Sequence, residues 1–235
     1  MKALVMLPTF NERDNIKSII ETILLTDPSI EILVVDDQSP DGTGDMVDVM
    51  SRDQPRLHLL SRKERGRGTA GRAGFKWAVD HGYDYLIEMD ADFSHDPAYI
   101  PDLLARAQEF DIVIGSRYIE GGGVPGWSKK RKVISQVANV FIRVVMGLSM
   151  ADCTGGYKLF HVDALKKLDL DNYISDSCLY DGPETLLRVT LLGATWVEVP
   201  IVFRERKAGA SKFTFEKIIR NFINNIKLRY YLGRP

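Results

Sequence analysis

The chain has 235 residues, 45% of them hydrophobic and 27% charged, with a formal net charge of −1. That length suits one large α/β domain, or one domain with an appendage, and the near-neutral balance supplies no global field to recruit nucleic acid. Two cysteines, Cys153 and Cys178, and four scattered histidines exclude a disulfide framework and a Cys/His metal cluster.

The N-terminus opens on the strand-like Ala3-Leu4-Val5-Met6-Leu7, without the long apolar core of a secretory signal, which predicts folding in the cytosol. After Pro8-Thr9-Phe10-Asn11-Glu12-Arg13 a helical pattern of Ile16, Ile19, Ile20, Ile23 and Leu24 runs to Asp27-Pro28. A strand Glu31–Val35 ends at Asp36-Asp37, and an amphipathic helix carrying Met46, Val47, Val49 and Met50 precedes a short strand Leu57–Leu60. Gly66, Gly68 and Gly71 then match G-x-G-x-x-G. A dinucleotide fingerprint opens immediately after a strand, in the first βα turn; here polar residues intervene, so this stretch reads as a flexible, basic loop on the phosphate side.

A β-prone run from Tyr83 to Met89 ends in Asp90-Ala91-Asp92. In an extended chain the two carboxylates share a face, and open α/β sheets bind ligands beyond the carboxyl ends of their strands. Paired oxygen ligands there suit magnesium or manganese bridging substrate phosphates; a solvated strand end whose acids cap the next turn, at Asp96-Pro97, is the plainer alternative. A helix around Ile100–Phe110 and a strand Asp111–Gly115 continue the alternation, which implies a mostly parallel sheet with helices on both faces.

Beyond about residue 120 the character changes. Gly121-Gly122-Gly123 reads as a flexible connector, and Trp127 precedes the basic cluster Lys129–Lys132, which heads an apolar helix of Val133, Val137, Val140, Phe141, Val144 and Val145. Cations at a helix N-terminus oppose its dipole, and a phosphate would relieve that repulsion; a solvated charge run is the alternative. The window Val133–Ala151 contains Gln136, Asn139 and Arg143, so no membrane span is expected. Asp152–Tyr157, a helix-like Asp163–Leu168, Glu184 and a strand Thr195–Phe203 follow. A second basic, glycine-containing loop, Arg204–Lys212, leads to a helical pattern from Phe213 to Tyr231, amphipathic and basic enough to pack on the body or to lie on an anionic membrane surface.

Together these residues resemble a family-2, A-type glycosyltransferase, and most of all the polyprenyl (dolichol) phosphate mannose synthases. The resemblance spans nearly the whole chain. It is carried by Leu7–Glu12, Val34–Thr43, Met89–His95, Gly115–Tyr118, Gly121–Trp127 with Arg131, Ser135 and Asn139, Asp152–Tyr157, Val199–Phe203 and Gly209–Lys212. It implies a Rossmann-like α/β fold with a mostly parallel sheet and a C-terminal amphipathic helix, as a single catalytic domain over 1–235. Within it, 1–120 would form the nucleotide-sugar half, 121–212 the acceptor half and 213–235 the final helix.

The same resemblance implies inverting transfer of mannose from GDP-mannose to a polyprenyl (dolichyl) phosphate. Pro8, Phe10, Glu12 and Asp37 would hold the nucleoside, with Asp90, Ala91 and Asp92 completing the donor site. Asp90 and Asp92, with Ser94, would bind Mg2+ or Mn2+. Arg117, Arg131 and Ser135 would grip the acceptor phosphate, Asp92, Arg117 and Arg131 would be the catalytic set, and Arg204, Arg206 and Lys212 would lie in a loop closing over the diphosphate. A cytoplasmic protein on the cytoplasmic face of a membrane follows, peripheral, with room for a small membrane-anchoring partner and no nucleic acid. Two departures from the family pattern, Gln136 after Ser135 and the run Cys178–Glu184, fall on the acceptor side. Another donor such as UDP-glucose, or a hydroxyl acceptor with Glu184 or Asp181 as base, stays open beside this reading. So do a phosphohydrolase, for which Asp90-x-Asp92 is also a nucleophile motif, and a non-catalytic scaffold.

Overall fold

The computed structural model describes residues 2–175, 182–205 and 215–232, with residues 215–219, 221 and 222 described as backbone only. Seven strands build one sheet: β1 (Ala3–Thr9), β2 (Ile30–Asp36), β3 (Leu57–Ser61), β4 (Tyr85–Glu88), β5 (Ile112–Ser116), β6 (Lys158–His161) and β7 (Trp196–Pro200). Their order is β3-β2-β1-β4-β6-β5-β7, with only β6 antiparallel to its neighbours. The mostly parallel sheet expected from the alternation is therefore present. The antiparallel β6 was not anticipated. It is four residues long and opens on Lys158, so its sequence lacks the continuous apolar run that marks a buried strand.

Alternation along β1 shows why helices cover both faces. Ala3, Val5 and Leu7 enter one core with Ile16, Ile19, Ile20 and Ile23 of α1 (Arg13–Leu24), Val47 of α2 (Thr43–Asp53) and Ile100 and Leu103 of α4 (Ile100–Arg106). Leu4 and Met6 enter the other, which holds Phe75 and Ala78 of α3 (Arg67–Asp80), Ile142 and Met146 of α5 (Lys129–Met146), Leu165 of α6 (Val162–Leu165), Leu186 of α7 (Gly182–Leu191) and Leu228 of α8 (Phe215–Leu232). Sheet and helices thus bury two separate apolar layers, the dominant favourable term in folding.

Two glycine readings are corrected. Gly68 and Gly71 are buried within α3 rather than in a loop. Gly74 farther along shows the purpose of small residues here, because a Cβ on it would stand 1.9 Å from Met6 Sδ. The helix lies directly on β1. Gly122 is likewise no flexible connector: its N–H donates to Ile119 O at 2.9 Å, and a Cβ would meet Ser116 O at 2.6 Å. Gly123 pairs with Val202, so the chain leaving β5 is tied to the chain leaving β7.

This topology gathers the chemistry at one edge. The carboxyl ends of β1, β2, β4 and β5 point the same way, and the antiparallel β6 begins there, bringing Asp152–Tyr157 alongside. Among the described residues, the non-glycine residues with left-handed backbone, Asn11 (φ 60), Gln38 (φ 48) and Phe93 (φ 63), all lie on loops at this edge. Such conformations cost on the order of 1–3 kcal/mol each and cluster where a site needs a fixed shape.

Candidate active site

The loops after β1 and β2 are laced together. The Asn11 N–H donates to Ser39 Oγ at 3.0 Å, Glu12 N–H to Thr43 Oγ1 at 3.0 Å and Arg13 N–H to Asp41 Oδ2 at 3.1 Å. Asp36 is buried and consumed in this lacing, accepting from Thr9 Oγ1 (3.0 Å) and from Ser39 Oγ and N–H (2.5 and 2.9 Å). Its neighbour Asp37, also buried, accepts from Arg62 Nε at 3.0 Å and from the Gly66 N–H at 2.9 Å. The structure thus brings Pro8, Phe10, Glu12 and Asp37 to one rim, and adds Arg62 and Arg65, the latter 4.4 Å over the Phe10 ring.

Asp90 and Asp92 sit beyond β4 in unlike settings. Asp92 is buried, and its Oδ1 accepts from both the N–H (3.0 Å) and the hydroxyl (2.5 Å) of Ser94, a local turn that Phe93 permits by adopting positive φ. Asp90 is about a third exposed; its Oδ1 lies 3.4 Å from Arg67 Nη2, while Arg67 Nη1 holds Glu88 at 2.8 Å. The Asp90 N–H donates to Nδ1 of His95 at 3.0 Å. Burial pushes the His95 imidazole below its ordinary value despite the nearby carboxylates, which suits a neutral ring accepting through Nδ1. His95 thus holds the Asp90 backbone and Arg67 its carboxylate; His95 falls within the Met89–His95 stretch, whereas the placement of Arg67 is a spatial matter that no local pattern records.

No group of three or more His, Cys, Asp or Glu side chains among the described residues is arranged to hold a metal. A pair of carboxylates nevertheless fits a hard divalent cation whose other ligands are phosphate oxygens and water, the usual arrangement for magnesium with nucleotides. The Ser94 hydroxyl donates to Asp92, which keeps its oxygen beside that carboxylate.

Arg117, Ser135 and Asn139 gather around a buried ion pair. Arg117 donates to Asp152 through Nε (2.6 Å) and Nη2 (2.7 Å), and Nη2 also reaches Thr154 Oγ1 at 2.8 Å. Both residues are buried. Burial alone would raise the Asp152 carboxyl, but the Arg117 hydrogen bonds and charge outweigh it and hold the group below the usual carboxylate range. Asn139 of α5 pins the same loop, accepting from the N–H groups of Cys153 (2.9 Å) and Thr154 (3.2 Å) and donating to Thr154 Oγ1 at 2.9 Å. Ser135 accepts from the Tyr118 hydroxyl at 2.6 Å. Arg131 stacks 3.9 Å over Trp127 and pairs with Glu205 at 3.1 Å.

An aromatic ladder joins the two halves: Trp127 meets Phe203 edge-on at 5.5 Å, and Phe203 meets His95 edge-on at 5.3 Å. The Arg204 N–H donates to Ser94 O at 3.2 Å, which fixes the start of the basic loop beside Asp92. Arg206, Lys212 and Asp181 lie outside the described residues. Glu184 is buried and engaged by Arg188 Nε at 2.7 Å and by the Ile174 and Ser175 N–H groups, a capping role that leaves it poorly placed as a base.

Residues 4–169 match the model of glycosyl transferase family 2. The undecaprenyl-phosphate mannosyltransferase of Micrococcus luteus is 40% identical over 91% of this chain and 88% of its own length. The polyprenol monophosphomannose synthase of Mycolicibacterium smegmatis is 40% identical over 92% of this chain and 83% of its own. Among solved structures, mannosyl-3-phosphoglycerate synthase from Rubrobacter xylanophilus aligns with a TM-score of 0.69 at 17% identity, over 100% of this chain and 76% of that one. Glucosyl-3-phosphoglycerate synthase from Mycobacterium tuberculosis, solved with Mn2+, UDP and its product, gives a TM-score of 0.67 at 17% identity over 100% and 81%.

The Arg117–Asp152 pair makes a pH-dependent prediction. A depressed carboxyl stabilises the fold fully above its ordinary unfolded value near 4, and that contribution is lost as the pH falls through the lower folded value. Asp152→Asn strands a buried guanidinium and should cost about 3–5 kcal/mol at pH 7 in urea unfolding. The gap from wild type should hold at pH 6–7 and narrow below about pH 4; a gap that is constant down to pH 3 contradicts the assignment.

Proposed function

The chain belongs to glycosyl transferase family 2, and within that family we propose that it transfers mannose from GDP-mannose to a polyprenyl (dolichyl) phosphate with inversion at the anomeric carbon. One observation carries this reading: the aromatic ladder from Trp127 through Phe203 to His95 places a cationic helix start against a carboxylate-lined strand end. One side suits a nucleoside diphosphate sugar, the other a second phosphate. The two relatives named for polyprenyl-phosphate mannosyl transfer support the sugar and the acceptor.

On the donor side Pro8, Phe10, Glu12 and Asp37 hold the guanosine, with Asp90, Ala91 and Asp92 against the diphosphate and Arg204, Arg206 and Lys212 closing over it. Asp90 and Asp92, with Ser94 orienting Asp92, hold Mg2+ or Mn2+. When bound, the ion offsets the charge of the departing diphosphate. Residues 1–120 are assigned to this half, 121–212 to the acceptor half and 213–235 to the C-terminal segment that contains α8.

On the acceptor side, a phosphate monoester with its second pKa about 6 is largely ionised at neutral pH and needs no general base. Its oxygen attacks the anomeric carbon as the bond to the diphosphate breaks through an oxocarbenium-like state, releasing GDP. Arg131 meets the incoming phosphate, Ser135 offers its hydroxyl hydrogen, and Arg117 presents its charge in the one orientation that Asp152 allows. Their work is to hold two anions in line against their mutual repulsion.

Val133, Val137, Val140 and Val144 recur along one side of α5 and are exposed, Val144 by 77%. Ile223, Ile226, Tyr230 and Tyr231 of the adjoining α8 are exposed as well. No described helix is long and apolar enough to cross a membrane. This face and the basic start of α5 support peripheral docking on an anionic membrane surface, on the cytoplasmic side and with or without a small anchoring partner.

Transfer of radiolabel from GDP-mannose to a short polyprenyl phosphate tests the assignments singly. Asp92→Ala should abolish metal-dependent turnover, at least 100-fold, and weaken Mn2+ binding in calorimetry; full activity in magnesium removes the metal assignment. Arg131→Ala should raise the KM for the lipid phosphate on the order of 10-fold or more while sparing GDP affinity. Equal losses of both would move Arg131 to the donor. The docking face is checked by co-sedimentation: Val140→Asp with Val144→Asp should detach the protein from phosphatidylserine vesicles without lowering its melting temperature, and undiminished binding sinks that surface.

A further inference from the structure

Trp127 is only 9% exposed, yet among the described residues its Nε1–H has no hydrogen-bond partner. A buried donor left unsatisfied is costly, and native proteins retain few of them without a reason. The indole has a specific setting. Arg131 covers it at 3.9 Å, the Arg117 guanidinium is 5.8 Å from its centroid, and Phe203 closes one edge at 5.5 Å. An indole whose N–H has no acceptor among the described residues, and whose ring lies beside two guanidinium groups, suits an anion.

An anion already stands beside this place. The Glu205 carboxylate pairs with Arg131 at 3.1 Å, and its side chain lies over Gly126, whose Cβ position is 3.6 Å from Glu205 Cγ. Gly126 has φ +84, a conformation that suits glycine, and Glu205 packs over it at ordinary contact distance just before Trp127. Both partners of the Arg131–Glu205 pair are about half exposed, so the pair is weak and readily exchanged.

We propose that Trp127 Nε1–H is a direct donor to the acceptor's phosphate monoester, and that Glu205 is a resident carboxylate which this phosphate displaces from Arg131. The inference rests on the lipid-phosphate reading above and deepens it. Stacking fixes the Arg131 guanidinium, the indole supplies a neutral directional donor, and departure of Glu205 opens the seat. An acceptor lacking the phosphate cannot displace Glu205, so the arrangement selects phosphorylated lipids. Trp127 is therefore a binding residue for the headgroup.

Two replacements separate the N–H from the ring. Trp127→Phe keeps an aromatic face for Arg131, and 3-benzothienylalanine at position 127 keeps the full bicyclic shape while removing only the hydrogen-bond donor. With a short polyprenyl phosphate as acceptor, both should raise the lipid KM about 10-fold, leaving the GDP-mannose KM and kcat at saturating lipid within about twofold. Glu205→Gln should lower the lipid KM about threefold. A benzothienyl protein with wild-type lipid KM overturns the role of Trp127, even if Trp127→Phe is too unstable to assay. If Trp127 behaves as expected and Glu205→Gln leaves the lipid KM unchanged, the displacement step is wrong. A wild-type protein that binds GDP-mannose but labels no polyprenyl phosphate removes the functional reading and this inference together, and is recognised before any variant is made.

Discussion

A buried guanidinium–carboxylate pair, Arg117 with Asp152, is the joint on which the arrangement of β5, β6, β7 and α5 depends. Neither charge could remain in the interior alone, since an unpaired buried ion costs several kcal/mol. The pair connects three elements: Arg117 leaves β5, Asp152 precedes β6, and the Ala151 and Asp152 N–H groups donate to Glu198 of β7 at 2.8 and 3.0 Å. Asn139 then ties the Asp152 loop to α5. Lys158, fully buried at the start of β6, donates to Gly155 O and faces the charges of Glu88 and Asp152. The helix that carries Arg131 and Ser135 is thereby held at a fixed distance from the sheet edge that carries Asp90 and Asp92.

That constraint suits a reaction between two anions. A hydroxyl acceptor would demand a base, and Glu184 is committed to Arg188 and backbone N–H groups. A phosphate acceptor demands orientation and charge neutralisation, which rigid cations and preorganised dipoles provide at no cost in reorganisation. The left-handed backbone at Asn11, Gln38 and Phe93 serves the same end, because it fixes the shape of the loops beyond β1, β2 and β4.

Much of this was legible in the sequence because period and punctuation carry it. The alternation through β5 and the buried aliphatics of α1 follow from hydrophobic spacing, and so does the strand that ends just before Asp90-x-Asp92; the common face that the pleat implies for the two acids does not, because β4 stops at Glu88 and the acids sit on the turn beyond it. What escaped was non-local. β6 lies between β4 and β5 only because a long connection returns it there, and no local pattern records that insertion. Gly122 looked flexible, yet its bare Cα is required by Ser116 O, an atom six residues away. The resemblance implies a phosphate for Arg117 but says nothing of its buried partner Asp152, 35 residues along the chain. The unsatisfied Nε1–H of Trp127 is a property of packing alone, which no reading of the sequence could supply.

The central claim is that the acceptor's own ionised phosphate is the nucleophile, held by cations without a protein base. The most direct measurement compares a short polyprenyl phosphate with the corresponding free polyprenol as acceptor, using purified protein, radiolabelled GDP-mannose and magnesium. The account predicts label in the phosphorylated lipid, a rate nearly flat above about pH 7 once the second phosphate ionisation is complete, and no label in the alcohol. Comparable labelling of the free polyprenol would contradict it, and would require a base that Glu184, as placed, does not provide.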